Sequence, residues 1–264
     1  MTPPVVLSIA GSDSSGGAGI QADLKTFAAL GCYGASVVTA ITAQNTVDVL
    51  DVFALPASIV GLQLAAVLED MPVAAVKVGM VASADIAAQI ASRARAGDLP
   101  NLVVDPVLSA STGRRFAVPA VVERLLPYAS VITPNLREAS AILGWEVSTP
   151  ADMAGAAAQM AAHGARCVVV TGGDGPGEEA VDAVWTAQGA RLIRAPRVHT
   201  PNTHGTGCTF SSAIAARLAH GYPAEESVDF AKRYVRAALI AAREWRLGAG
   251  AGPLNHFVRG QDAP

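Results

Sequence analysis

The sequence predicts an α/β protein, a largely parallel central sheet sandwiched between two layers of helices, on three observations. Short β-branched runs recur at Val5–Ile9, Val37–Ile41, Ala75–Val78, Leu102–Val104, Val131–Thr133 and Cys167–Thr171, each followed by turn residues. Segments with helical periodicity lie between several of them, at Gln21–Leu30, Ile59–Leu68, Ala84–Ala96, Pro119–Leu126 and Ala151–Ala162. The chain, at 264 residues, is long enough for one large core, so residues 1–264 read as a single domain. Alternating strand and helix describes βαβ units, whose right-handed crossovers cover both faces of a parallel sheet.

After Thr171 the rhythm changes. Gly172-Gly173-Asp174-Gly175-Pro176-Gly177 precedes two strand-like runs, Ala180–Ala187 and Ala190–Arg194, joined through Gln188-Gly189, which predicts a hairpin at the sheet edge. Helical stretches at Thr206–His220 and Ala224–Trp245 follow, before a glycine-rich tail. Ligands of open α/β sheets sit beyond the carboxyl ends of the strands, so the loops there carry the chemistry.

Composition narrows the function classes. Hydrophobic residues are 51% of the chain, but no apolar run reaches the roughly 18 residues that span a bilayer. The start, Met1-Thr2-Pro3-Pro4, lacks a basic segment and a cleavage site, so the expected location is the cytoplasm. A formal net charge of −3 without a dense basic run excludes a nucleic-acid footprint. Cys32, Cys167 and Cys208 are widely separated, without disulfide or zinc-ligand spacing, and the five histidines form no HExxH pattern.

The most informative segment is Asn202-Thr203-His204-Gly205-Thr206-Gly207-Cys208-Thr209, a glycine turn running straight into a helix. The opening N–H groups of that helix lack carbonyl partners and, with the macrodipole, favour a phosphate. The same field is expected to lower the thiol of Cys208 below its ordinary pKa of about 8.5. Gly11-Ser12-Asp13-Ser14-Ser15-Gly16-Gly17-Ala18-Gly19, after the first strand, lets a ligand approach the backbone closely. Within it Gly17–Ala22 fits the relaxed dinucleotide pattern GxGxxA and raises a nicotinamide-dependent alternative. Against it, the first glycine lies several residues past the strand and no acidic residue ends a second strand at the required distance. Glu178 stands where a Walker loop needs lysine, which disfavours a P-loop.

Asp105-Pro106 and Thr133-Pro134-Asn135-Leu136-Arg137-Glu138 place two carboxylates at the ligand edge. Asp105 and Glu138 suit magnesium, which binds few carboxylates and keeps its waters, while Asn135 and Glu138 equally suit a helix cap. Gln44 has a carboxamide able to read a ring nitrogen and an exocyclic amine together, or else to structure its loop. Met80 is either core or a polarizable surface for a flat ring.

Taken together, the Gly11–Gly19 loop with Ile20–Thr26, Ala43-Gln44-Asn45-Thr46, Lys77-Val78-Gly79-Met80, Asp105-Pro106-Val107, Thr133–Ala139 and Asn202–Thr209 resemble the hydroxymethylpyrimidine/phosphomethylpyrimidine kinases, a branch of the ribokinase-like superfamily. The resemblance runs collinearly over nearly the whole chain. It implies a ribokinase-like three-layer α/β/α sandwich, magnesium-ATP as phosphoryl donor, a small pyrimidine as substrate and a homodimer. It puts Gly11, Asp23, Gln44, Met80 and Val107 around the pyrimidine, Gly205, Thr206, Gly207 and Cys208 at the transferring phosphoryl group with Cys208 as base, and Asn135, Thr171, Gly173 and His204 on the ATP. Asp105 and Glu138 would organise the Mg2+ ion. Many members carry lysine where this chain has Thr171; Lys25, Lys77 or the Arg114-Arg115 pair would then have to supply the missing charge. Leu108–Phe116 is expected to be a lid, lacking the extra cysteine of relatives that also phosphorylate pyridoxal. Pyridoxal or pyridoxine kinase, and a non-catalytic pyrimidine binder, are the competing readings.

Overall fold

The structure, a computed structural model, describes residues 2–108 and 122–258. Nine strands form one sheet: β1 (Val5–Asp13), β2 (Tyr33–Gln44), β3 (Val49–Ala54), β4 (Val73–Val78), β5 (Leu102–Val104), β6 (Val131–Ile132), β7 (Val168–Thr171), β8 (Glu179–Thr186) and β9 (Gly189–Pro196). Their order is β3-β2-β1-β4-β5-β6-β7-β8-β9. The six from β2 through β7 are mutually parallel, while β3 and the β8–β9 hairpin run antiparallel at the two ends.

Period-two alternation sends successive side chains to opposite faces, and both faces are buried. Leu7, Ile9, Val76, Val78, Leu102, Val104, Ile132, Val168 and Val170 pack on one side against α2 (Ala57–Asp70), α3 (Ala84–Ala96), α4 (Leu136–Leu143) and α5 (Pro150–Ala161). Val6, Ala75, Val103, Val131, Val169 and Val184 meet α1 (Gly19–Ala29), α6 (Thr206–Ala219) and α7 (Ala224–Ala241) on the other. This is the expected three-layer sandwich.

Local chemistry sets the helix ends. Ser83 caps α3 by accepting from the Ile86 N–H, and Gly97 closes it at φ 85°. Thr149 and Asp152 form a capping box on α5, with Pro150 in the first turn.

Three features differ from the sequence reading. β1 does not stop at Ile9 but continues through a bulge to Asp13, shortening the glycine loop that follows. β3 was not foreseen: Asn45 Oδ1 accepts the N–H groups of Val47 and Asp48 and turns β2 back on itself. The last helix ends at Ala241 rather than Trp245. The first three residues of the helix expected over Pro119–Leu126 and most of the lid expected over Leu108–Phe116 lie outside the described residues, as does the Arg114-Arg115 pair.

Candidate active site

Six parallel strands deliver their carboxyl ends to one edge, and with them Asp13, Gln44, Met80, Asp105, Asn135 and Thr171. Facing that edge is the start of α6. Gly205 caps it in the left-handed region, at φ 84°, and a side chain there would collide with the Gly17 carbonyl oxygen. Thr206 bonds back to the Thr203 carbonyl. The N–H groups of Gly207 and Cys208 find no acceptor among the described residues, and Gly207 is exposed. Two oriented donors therefore stand open at a helix N-terminus, a geometry that suits an anion.

Asp13 ties this turn to the first glycine loop. Its carboxylate accepts from Ser15 N (2.9 Å), Ser15 Oγ (2.8 Å), Ala18 N (2.9 Å) and, across the fold, His204 Nε2 (2.8 Å). Burial alone would raise its pKa, but the hydrogen bonds, led by His204, bring it down to about 2. A lowered carboxylate pKa contributes stability above the ordinary value of 3.8 and loses it as pH falls toward 2. Asp13→Asn is therefore expected to cost roughly 2 kcal/mol at pH 7. In urea titrations the gap from wild type should narrow as pH falls from 4 toward 2; a gap of constant size would show that the charge is not what matters.

His204 was expected on the nucleotide. It is instead buried against Gly17, with its backbone N–H on the Gly252 carbonyl (3.0 Å), so its ring belongs to the wall between the two glycine loops. Gln44 ends β2 beside it, Nε2 lying 3.5 Å from His204 Nε2. Because His204 Nε2 donates to Asp13, it offers Gln44 no lone pair. Thr42 holds the carboxamide oxygen (3.2 Å), and the Gln44 NH2 is left to donate to a ligand. Met80 is buried with its methyl group against Gly11, where a Cβ would strike it. Val107 follows Asp105 and is half-buried.

Below these walls lies a dry charge cluster. Lys77 is fully buried in β4, its Nζ 2.9 and 3.1 Å from the Asp23 oxygens and 3.7 Å from Asp105 Oδ2. Asp23, expected to line the pyrimidine pocket, is completely buried, with Ser8 Oγ (2.6 Å) and Ser212 Oγ (2.7 Å) filling its remaining acceptor sites. It supports the floor. Ser211 Oγ donates to Asp105 at 3.1 Å. A thiolate on Cys208 would be a third anion facing one ammonium. Burial, then Asp105 and Asp23, outweigh Lys77 and the Gly19 N–H and push this thiol up to about 12. The expected lowering by the helix terminus is thus reversed, and Cys208 is a protonated thiol at neutral pH.

On the other side of Asp105, Asn135 and Glu138 make the capping box of α4, with Asn135 N on Glu138 Oε2 and Glu138 N on Asn135 Oδ1, both 2.9 Å. Burial, then the Asp105 charge, raise Glu138 to about 8. Capping therefore leaves a buried acid that holds its proton at neutral pH, because ionising it would set two buried carboxylates against each other. Thr133 Oγ1, at the same strand end, is buried without a hydrogen-bond partner among the described residues. Thr171 donates its N–H to the Pro134 carbonyl (2.8 Å), and the exposed Gly173 presents its carbonyl to Arg197. Lys25 donates to the Gly16 carbonyl (2.8 Å) and Lys77 is locked in the cluster; neither stands beside Thr171 as a spare cation.

Asp13, Ser211, Ser212 and Arg197 were not read as site residues, and Lys77 was read only as a possible replacement cation on the ATP side. A lysine inside the apolar run of β4 and two serines in an apolar helix were the available signals, since buried polar groups need partners.

A helix-terminus anion turn facing strand-end carboxylates in a ribokinase-like sandwich defines a small-molecule phosphotransferase. Residues 13–255 match the phosphomethylpyrimidine kinase family model, and the chain belongs to that family. It is 50% identical over 262 residues to a hydroxymethylpyrimidine/phosphomethylpyrimidine kinase of Rhizobium meliloti, covering 97% of each chain. Among solved structures, the ADP complex of Bacillus subtilis pyridoxal kinase aligns at TM-score 0.88 and 38% identity, over 97% of this chain and 98% of that one. A phosphomethylpyrimidine kinase of Clostridium difficile aligns at TM-score 0.78 and 42% identity, over 89% and 99%.

Proposed function

We propose that this chain transfers the γ-phosphoryl group of ATP to 4-amino-5-hydroxymethyl-2-methylpyrimidine and then to the resulting monophosphate, in the cytoplasmic supply of thiamine. The observation that carries the reading is the pair of open N–H groups on Gly207 and Cys208, set between Asp105 and the glycine loop. Donors fixed in advance stabilise the charge on a transferring phosphoryl group without reorganising, which is most of what such a reaction needs. The free NH2 of Gln44 donates to a ring nitrogen of the pyrimidine, and Met80 and Val107 pack on its faces. Cys208 faces the attacking hydroxyl; Asn135, Thr171 and Gly173 border the nucleotide.

Magnesium fits the residues present. Among the described residues no three His, Cys, Asp or Glu side chains cluster into a metal cage, but Asp105 and Glu138 repel each other in a dry setting that a cation relieves. One or two carboxylates with waters and phosphates is the usual magnesium arrangement. When bound, the ion neutralises phosphate charge. Glu138→Gln retains the capping geometry, so it is expected to leave the melting temperature unchanged or higher. The Mg2+ midpoint of activity should rise about tenfold, or about 1.4 kcal/mol; superimposable metal titrations for the two proteins would rule Glu138 out as a ligand.

A homodimer is part of the proposal. Ile41 pairs with Phe53 on β2 and β3, and both are at least half exposed, apolar surface suited to a second copy. Sedimentation velocity reads the mass. For the reaction, ADP release is followed with the pyrimidine alcohol, its monophosphate and pyridoxal. Turnover of both pyrimidines above pyridoxal supports the reading, preference for pyridoxal replaces it with a pyridoxal kinase activity, and binding without ADP release indicates a non-catalytic binder.

A further inference from the structure

The loop after β7, from Gly172 to Gly177, has four glycines and no large side chain to pack it into one shape. One arginine organises it. Arg197, directly after β9, donates Nε to the Gly177 carbonyl (2.7 Å), Nη2 to the Glu179 carbonyl (3.0 Å) and Nη1 to the Gly173 carbonyl, while its backbone N–H reaches the Glu178 carbonyl (2.7 Å). The foot of the loop is fixed independently: Gly172 N–H bonds to Asp182 Oδ1 (3.0 Å), whose other oxygen accepts from Lys232 (2.7 Å). Within the loop Gly175 N–H closes a turn onto the Gly172 carbonyl (3.0 Å).

Two consequences follow from the chemistry of that guanidinium. Its planar fork meets three carbonyls at once, a geometry that lysine cannot reproduce. Its charge is not neutralised either, since Arg197 has no carboxylate partner among the described residues; the neighbouring ion pairs, Arg194 with Glu179 and His199 with Glu178, involve other cations. A positive potential therefore stays at a loop that flanks Thr171 and Asn135, whose backbones pair in a parallel bridge.

We infer that Arg197 is a positioning residue for the nucleotide. It holds the Gly173–Gly177 loop in the shape that receives ATP and keeps uncompensated positive charge beside the phosphates. The inference rests on the reading of this strand end as the nucleotide site. It assigns Arg197 no contact with the pyrimidine.

The test titrates ADP and the non-hydrolysable analogue AMP-PCP into wild type, Arg197→Gln and Arg197→Lys, and measures both Michaelis constants. For Arg197→Gln, nucleotide Kd and the KM for ATP should each rise about tenfold. The pyrimidine KM should stay within about twofold of wild type, and Arg197→Lys should show an intermediate nucleotide affinity. Wild type that binds neither nucleotide would remove the nucleotide reading itself. Wild-type binding with unchanged affinity in Arg197→Gln would overturn the positioning role alone, and so would an equal loss of pyrimidine and nucleotide affinity, which is what general loosening produces. If Arg197→Gln does not fold, folded Arg197→Lys decides by the same two constants.

Discussion

Lys77→Met is expected to lower folding stability by about 3–5 kcal/mol, the usual cost of stranding buried charge. The measurement is urea unfolding, with a lower midpoint at unchanged slope. Lys77 has no exposed surface, and nor does its closest partner Asp23, so solvent screening does not weaken the effect. Methionine fills the volume of the stem but leaves Asp23 with only Ser8 and Ser212, and leaves Asp105 with only the Ser211 bond among these partners. Burial alone would depress the Lys77 pKa, yet the Asp23 charge, with Cys208 and Asp105 behind it, holds it above its ordinary value of 10.5. For a cation with a raised pKa the stabilisation is complete below the unfolded value and fades only above it. The cost of Lys77→Met should therefore be flat across neutral pH.

A second substitution separates lost charge pairing from lost packing. Asp23→Asn in the Lys77→Met background removes the stranded anion and should restore part of the loss, giving a coupling energy of about 1–3 kcal/mol. A Lys77→Met protein as stable as wild type would mean that the cluster does not support the fold. Additive single costs would mean that Lys77 contributes only volume.

The same cluster shows what the sequence could and could not reveal. The strands β4 to β7 were legible because short Val-rich runs between turn residues have few alternatives, and the glycine-capped start of α6 was legible because glycine beside a helix start has a local cause. β3 was not, since Val49–Ala54 lacks an apolar/polar alternation and neither face is fully buried, Leu50 and Phe53 remaining exposed at 68% and 62%. Asp23 is a different case. Its position one turn into α1 is a local fact, but whether it faces ligand or floor depends on Lys77, 54 residues away, and on Ser212, 189 away. His204 likewise belongs with Asp13 only because α6 and β1 meet at the sheet edge. Motif order points to the residues gathered at this sheet edge; which of them touch one another depends on contacts that no local pattern contains.

Cys208→Ala is expected to reduce turnover by about 10²- to 10⁴-fold, the span of general acid–base assistance, while the protein keeps its melting temperature. Its pH dependence is the sharper result. A thiol pushed up to about 12 is scarcely ionised at pH 7, but its thiolate fraction grows about tenfold with each pH unit below that value. If Cys208 accepts the proton of the attacking hydroxyl, wild-type kcat should climb through the alkaline range, and Cys208→Ala should lack that limb. Cys208→Ser should lack it too, because a hydroxyl is a far weaker acid than a thiol. The open N–H groups of Gly207 and residue 208 survive both substitutions, so phosphate binding and the KM for ATP should change little. Loss of turnover without any change in pH profile would make Cys208 a positioning residue for the substrate hydroxyl rather than its base. Retention of full turnover would leave phosphoryl transfer to the backbone turn and the carboxylates alone, which the loose transition state of such reactions permits.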